Sequence, residues 1–295
     1  MTNDFKSKQS SGARPPRLSP EEYAAKKKAE KEAVYQLLDN TALEVVQSPE
    51  KFRAYEIKVL DLISMEKSHC YNPFVYLRDD TDIQRLVTNL FKRTTPKGSQ
   101  SNDPFWDTAA SMLLLALIFY LHYEAPEEEQ NFAMVMEMLR AAAIEDEEDN
   151  RPSPLDNLFA DLEMDNPDHI ALKYYRSYHS GSAKTLKSIQ ITLAARLEKF
   201  NLESLAALTS ADELDLASMG EKKTALFALI PDNDSSFNFL VSILYTQLFQ
   251  QLFYSADHIH GGSLPIPVHM LMDEFANGVT RSTLKTVGIT DKSVA

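Results

Sequence analysis

The residues best suited to chemistry are two adjacent acids at the end of an apolar run. Val268-His269-Met270-Leu271-Met272 reads as a buried strand that delivers Asp273-Glu274 to its carboxyl end. This is the Walker B arrangement, in which the first acid holds a Mg²⁺ shell and the second orients or deprotonates the attacking water. The position suits a ligand, because open α/β sheets bind theirs beyond the carboxyl ends of the strands. An Asp-Glu pair opening the loop after any strand has the same sequence, so the pair alone leaves both readings open.

A nucleotide site of that kind also needs a phosphate-gripping turn. None of the eight glycines is followed by lysine, so G-x-x-x-x-G-K-[ST] does not occur in these residues. Gly220-Glu221-Lys222-Lys223-Thr224 echoes it but leads into a strand. A phosphate loop leaves a strand and opens a helix, so that its amides face the phosphates.

Other constellations offer less. Asp257-His258-Ile259-His260 holds two metal-capable imidazoles beside Gly261-Gly262, with no third ligand in view, and reads as an exposed loop. His69-Cys70 suggests a nucleophile and its base, but adjacent loop residues seldom face each other. The tyrosines Tyr174, Tyr175 and Tyr178 alternate with Lys173 and Arg176, and Lys184 and Lys187 follow a Ser-Gly-Ser turn. Aromatic and basic residues so placed can stack on and neutralise single-stranded nucleic acid. At helical spacing the same tyrosines also serve as packing surface.

The elements that would position these groups follow from the hydrophobic pattern. Ile57–Ile63 and Lys223–Ile230 read as buried strands, and Pro267–Met272 as a third. From Thr81 to about Ala207 the pattern is helical, with helices over Phe105–His122, Phe132–Ala142, from Asn166-Pro167, and over Ser182–Phe200. Ser235–Tyr254 is a further helix, apolar nearly all round. Strand, helical block, then strand–helix–strand predicts an α/β sheet with a large helical insertion. Residues 1–18 lack periodicity, while Ser19-Pro20-Glu21-Glu22 and Ser48-Pro49-Glu50 mark helix starts.

Composition narrows the class. The 295 residues are 44% hydrophobic and 25% charged, which excludes a collagen-like or wholly disordered chain. The formal net charge of -13 disfavours a polyanion partner in bulk. Residues 1–58 are an exception, carrying 11 basic against 9 acidic side chains. The single cysteine excludes an internal disulfide. The most apolar run, Ala109–Leu121, is 13 residues long, short of the ~20 a spanning helix needs, and predicts a core helix in a soluble chain.

Five short motifs follow one another in order: Val59-Leu60-Asp61-Leu62, Tyr71-Asn72-Pro73-Phe74, Asp103-Pro104-Phe105-Trp106-Asp107-Thr108-Ala109-Ala110, Pro231-Asp232-Asn233-Asp234 and Met272-Asp273-Glu274-Phe275-Ala276-Asn277. Through them the sequence from Ile57 to Asn277 resembles TraG/TraD-type coupling proteins of conjugative type IV secretion. The resemblance implies a partial RecA-like P-loop NTPase sheet, residues 55–80 and 216–277, interrupted by an all-α domain at 81–215. It implies ATP and Mg²⁺ as cofactors, with Asp273 holding the metal and Glu274 activating water. The implied partners are relaxase and other relaxosome proteins, single-stranded DNA and the secretion channel, in a hexameric ring. Lys173, Tyr174, Arg176, Lys184 and Lys187 would then be DNA or partner contacts.

Residues 13–54 resemble the opening of ArdC-like antirestriction proteins, and 278–295 read as a tail. The expectation is a shortened, recombined coupling protein in the bacterial cytoplasm, without the membrane anchor or phosphate loop of the family and unable to hydrolyse ATP alone. A non-catalytic adaptor acting through its all-α domain is the alternative.

Overall fold

The apolar run at residues 109–121 lies in the hydrophobic core of the unit formed by Glu56–Ala295. In the computed structural model, which describes residues 22, 25, 50, 53–95, 105–142, 151–231, 234 and 236–270, this run belongs to a helix at Phe105–Glu124. By length and composition that helix could cross a bilayer, the only one among the described residues that could. Its buried side chains, from Ala109 to Leu121, instead face neighbouring helices. Contacts divide the chain into two units, Met1–Tyr55 and Glu56–Ala295. In the first, Glu22, Ala25, Glu50 and Arg53 are helical; the expected starts at Ser19 and Ser48 lie outside the described residues.

The second unit begins with β1 (Glu56–Asp61), followed by helices α1 (Asp80–Thr94), α2 (Phe105–Glu124), α3 (Phe132–Ala141), α4 (Pro154–Asp165), α5 (Ile170–His179), α6 (Ala183–Leu197) and α7 (Glu203–Leu208). Then come β2 (Thr224–Leu229) and α8 (Asn238–Tyr254). Local chemistry sets the helix ends. Asp79 caps α1 by accepting from the Asp82 amide, with Asp80 and Asp82 in the first turn and Lys92 and Arg93 in the last, as the helix dipole favours. Ser153 and Asp156 form a reciprocal capping box at α4, with Pro154 at its first position. Ser182 caps α6.

Three helix starts differ from expectation: α8 begins at Asn238 rather than Ser235, Pro154 opens a helix that the hydrophobic pattern does not mark, and the third concerns α5. Asn166-Pro167 does not open a helix; Asn166 ends α4, and α5 begins at Ile170. Its cap is His169, whose Nδ1 accepts from the Ala171 amide while Nε2 meets Glu124. An imidazole outcompetes the Asn-Pro signal because it is buried against α2 and bonded at both nitrogens.

β1 and β2 pair in parallel, with Leu60 opposite Ala228 and Val59 opposite Phe227. Strands are therefore present where 57–63 and 223–230 predict them, joined by the helical block, but they are not the buried strands expected. Leu60 is the one buried residue of β1 and β2 has none. Phe227 and Leu229 are exposed because, among the described residues, the sheet has only two strands and one covered face. One face of the sheet, carrying Leu60, Leu226 and Ala228, lies on the same hydrophobic core as the helices. The other edge of β1 is closed, because Ser68 and His69 bond to the backbone of Val59 and Asp61.

The third expected strand is not formed over its described part, Pro267–Met270, which has no regular structure. Pro265 and Pro267 have no amide to donate, and the Ile266 amide between them donates to the Gly220 carbonyl instead of to a strand. Leu271 and Met272 lie outside the described residues.

Candidate functional site

Of the residues that the sequence singled out, the structure brings Glu221 and His260 together and shares the other described ones among separate local contacts. Asp273 and Glu274 lie outside the described residues, so the acid pair has no geometry here. What leads to it is described: Met270 packs partly against the core, and the preceding chain is tied to Gly220 through Ile266.

The Gly220 turn is not a phosphate cradle. Gly220 has φ +87, and a Cβ there would meet the Leu264 side chain at 3.1 Å. Glu221 accepts from the Ser255 hydroxyl at 2.7 Å and lies 2.6 Å from His260 Nε2. The Ser255 hydrogen bond, then that from His260, holds the Glu221 carboxyl below its ordinary range. The turn thus fastens the start of β2 to the turn after α8. This also resolves the histidine pair: His260 serves Glu221, while His258 stacks on Tyr254, over which Arg78 sits at 4.3 Å. No group of three or more metal-capable side chains is assembled among the described residues.

His69 and Cys70 are likewise structural. His69 Nδ1 accepts from the Val59 amide, and the Cys70 amide donates to Glu213. Burial, followed by the nearby Glu213 charge, pushes the Cys70 thiol up, away from nucleophilic ionisation.

The basic and aromatic residues of α5 and α6 divide by helix face. Tyr175 and Tyr178 are buried, which removes them as base-stacking candidates. Tyr175 stacks on Phe159 at 3.8 Å and donates to Asp156; burial raises its hydroxyl far beyond the usual range. Tyr178 accepts from Gln190 and is pushed up to about 12, mainly by burial.

Tyr174 is half-buried, stacked on Phe119 at 5.4 Å, and its hydroxyl accepts from Gln84 on α1. Arg176 turns toward α4, pairing with Glu163 at 2.6 Å and donating to the Pro167 carbonyl. Lys173 and Lys184 are exposed and Lys187 half-exposed. The five candidates therefore share two helices but not one continuous face.

A second feature was not legible in the sequence. α1 and α2 part to leave a cleft of about 440 Å³ that reaches Tyr174. At its edge Asp107 accepts two bonds from Arg196 Nη2, at 2.7 and 2.8 Å, while Arg196 Nη1 donates to the Thr94 carbonyl. One guanidinium thus joins α6, α2 and the end of α1. Asp107 belongs to the Asp-Pro-Phe-Trp-Asp segment already noted, but its partner lies too far along the chain for any local pattern to reveal.

These observations define a mainly helical unit, Glu56–Ala295, packed around an apolar helix and carrying a short parallel sheet. The sequence of the chain matches the model of the family described as type IV secretory system conjugative DNA transfer, over residues 39–287. The chain belongs to that family. The match takes in residues 39–56 and 278–287 as well as the segment from Ile57 to Asn277. Among the curated proteins, none matches the chain.

Proposed function

We propose that this protein acts as a coupling protein of conjugation, receiving relaxase-bound single-stranded DNA and passing it to the type IV secretion channel. The family match over residues 39–287 carries this reading. The relaxase and its companion relaxosome proteins are the proposed partners, with a hexameric ring as the working assembly.

Were ATP and Mg²⁺ bound, Asp273 would hold the metal and Glu274 would activate water, as the resemblance implies. The described residues supply no phosphate-binding turn, and these 295 residues contain no G-x-x-x-x-G-K-[ST]. Phosphate grip and metal coordination act together in the transition state, and removing one part of such a unit costs orders of magnitude in rate. The chain by itself is therefore proposed not to turn over ATP.

A second reading, an adaptor without catalysis, is favoured by where the accessible features lie. Lys173, Lys184 and the α1–α2 cleft all belong to the helical block. The adaptor reading needs only these features, whereas the coupling reading also needs Asp273 and Glu274.

Deleting the coding region from a conjugative element and scoring transfer frequency tests the role. Transfer should fall and be restored by the intact chain. Unchanged transfer would remove the proposal. Restoration by an Asp273→Ala/Glu274→Ala chain would leave the adaptor reading standing.

A further inference from the structure

The α1–α2 cleft has a hydrogen-bonding character that selects its occupant. Its volume, about 440 Å³, falls among sites that enclose small ligands or a few residues of a chain. The floor is apolar, with Val87 and Phe91 buried and Leu115 half-buried. The rim is polar, and its donors are partly committed. The Ser111 hydroxyl donates to the Thr108 carbonyl and the Thr95 hydroxyl to the Phe91 carbonyl, both at 2.7 Å, so each oxygen remains an acceptor. The Tyr174 hydroxyl accepts from Gln84 at 3.2 Å and keeps its own proton to donate. Lys92 lines the cleft with an exposed ammonium. The negative charge at the edge, Asp107, is already matched by Arg196.

An occupant must therefore offer donors to Thr95 and Ser111, acceptors to Tyr174 and Lys92, and an apolar group to the floor. A polypeptide backbone presents N–H and C=O together and carries side chains. A phosphodiester backbone only accepts, and Lys92 and Arg196 against Asp107 leave it a single excess positive charge. Counterion release from so few contacts contributes little affinity.

We propose that this cleft binds a short extended segment of a partner protein. One apolar side chain rests on Val87, Phe91 and Leu115, and a neighbouring carboxylate meets Lys92. The inference rests on the reading that the helical block recognises a protein of the transfer complex.

The test is a titration of the full, isotope-labelled chain followed by amide resonances. The probes are a pool of acetylated tetrapeptides with central Phe-Asp, the matching Phe-Asn pool, and oligothymidylate. At millimolar concentration the Phe-Asp pool should shift amides within Gln84–Thr95 and Asp107–Leu115, with the Phe-Asn pool about fivefold weaker. Thr88→Trp, an exposed position lining the cleft, should abolish the shifts, and Lys92→Glu should remove the preference for Asp.

Absence of shifts, or shifts that persist in Thr88→Trp, would overturn the proposal. Oligothymidylate moving these amides while the peptides do not would reassign the cleft to nucleic acid. The transfer assay separates the two levels. If deletion abolishes transfer but Thr88→Trp leaves it intact, the cleft proposal fails while the coupling role stands.

Discussion

Arg196 and Asp107 form a two-toothed ion pair that binds α6 to α2, and the same guanidinium holds the Thr94 carbonyl at the end of α1. The Arg196 side chain is 9% exposed and that of Asp107 30%. Removing the carboxylate therefore strands a guanidinium largely out of water. Asp107→Ala is expected to cost about 2 kcal/mol, below the range for fully buried pairs because Asp107 is partly wet. Arg196→Lys should recover only part of that, since an ammonium cannot present the planar fork. Urea unfolding checks both: the midpoint should fall with the slope unchanged.

Two buried-edge carboxylates should give opposite pH signatures. Burial would raise Asp156, but the hydrogen bonds from Tyr175 and Ser153 outweigh it and the carboxyl is lowered. Its contribution to stability is present above its unfolded pKa, about 4, and is lost as pH falls through the lower folded value. Asp212 is shifted upward, chiefly by burial, despite hydrogen bonds from Tyr76 and the Asp215 amide. Its contribution is fully present below the unfolded pKa and is lost as pH rises through the folded one. Stability profiles of Asp156→Asn and Asp212→Asn against the parent should therefore diverge from it in opposite pH directions.

The lysines of α5 and α6 make the nucleic-acid part of the proposed function measurable. If Lys173 and Lys184 contact phosphates, each change to glutamate should lower oligothymidylate affinity. Each should also reduce the salt dependence of log K by about 0.7. Tyr175→Phe, which alters a buried hydroxyl, should leave that affinity unchanged. A Tyr175→Phe effect as large as that of Lys173→Glu would mean the measured binding reports folding.

Nucleotide dependence probes the acid pair. A ligand that binds only the folded state raises the melting temperature. Mg-ATP is expected to leave the melting temperature of this chain unchanged, equally for the parent and for Asp273→Ala/Glu274→Ala. Saturable binding of a fluorescent ATP analogue, weakened by the double change, would show that these residues hold nucleotide without a phosphate loop.

The sequence by itself determined the elements whose cause is local. The helix start at Ser182 follows from a cap within one turn. Those at Asp79 and Ser153, which the hydrophobic pattern does not mark, rest on caps just as local. The apolar surround of α2 and α8 marked them as buried, because periodicity is a property of neighbouring residues. The runs at β1 and β2 marked strands but not their exposure, since β2 has no buried residue. The family was legible from the order of short motifs, since order along the chain survives without coordinates. Tertiary structure decided what depends on distant partners. Only packing showed that Tyr175 and Tyr178 face inward while Lys173 stays in water, because helical spacing fixes which residues share a face but not which face meets the core. Only packing brought His169 to Glu124, displacing the Asn-Pro start, and Arg196 to Asp107. The cleft between α1 and α2 belongs to neither helix alone: it is the space two helices leave where their side chains fail to meet, and no stretch of sequence encodes it.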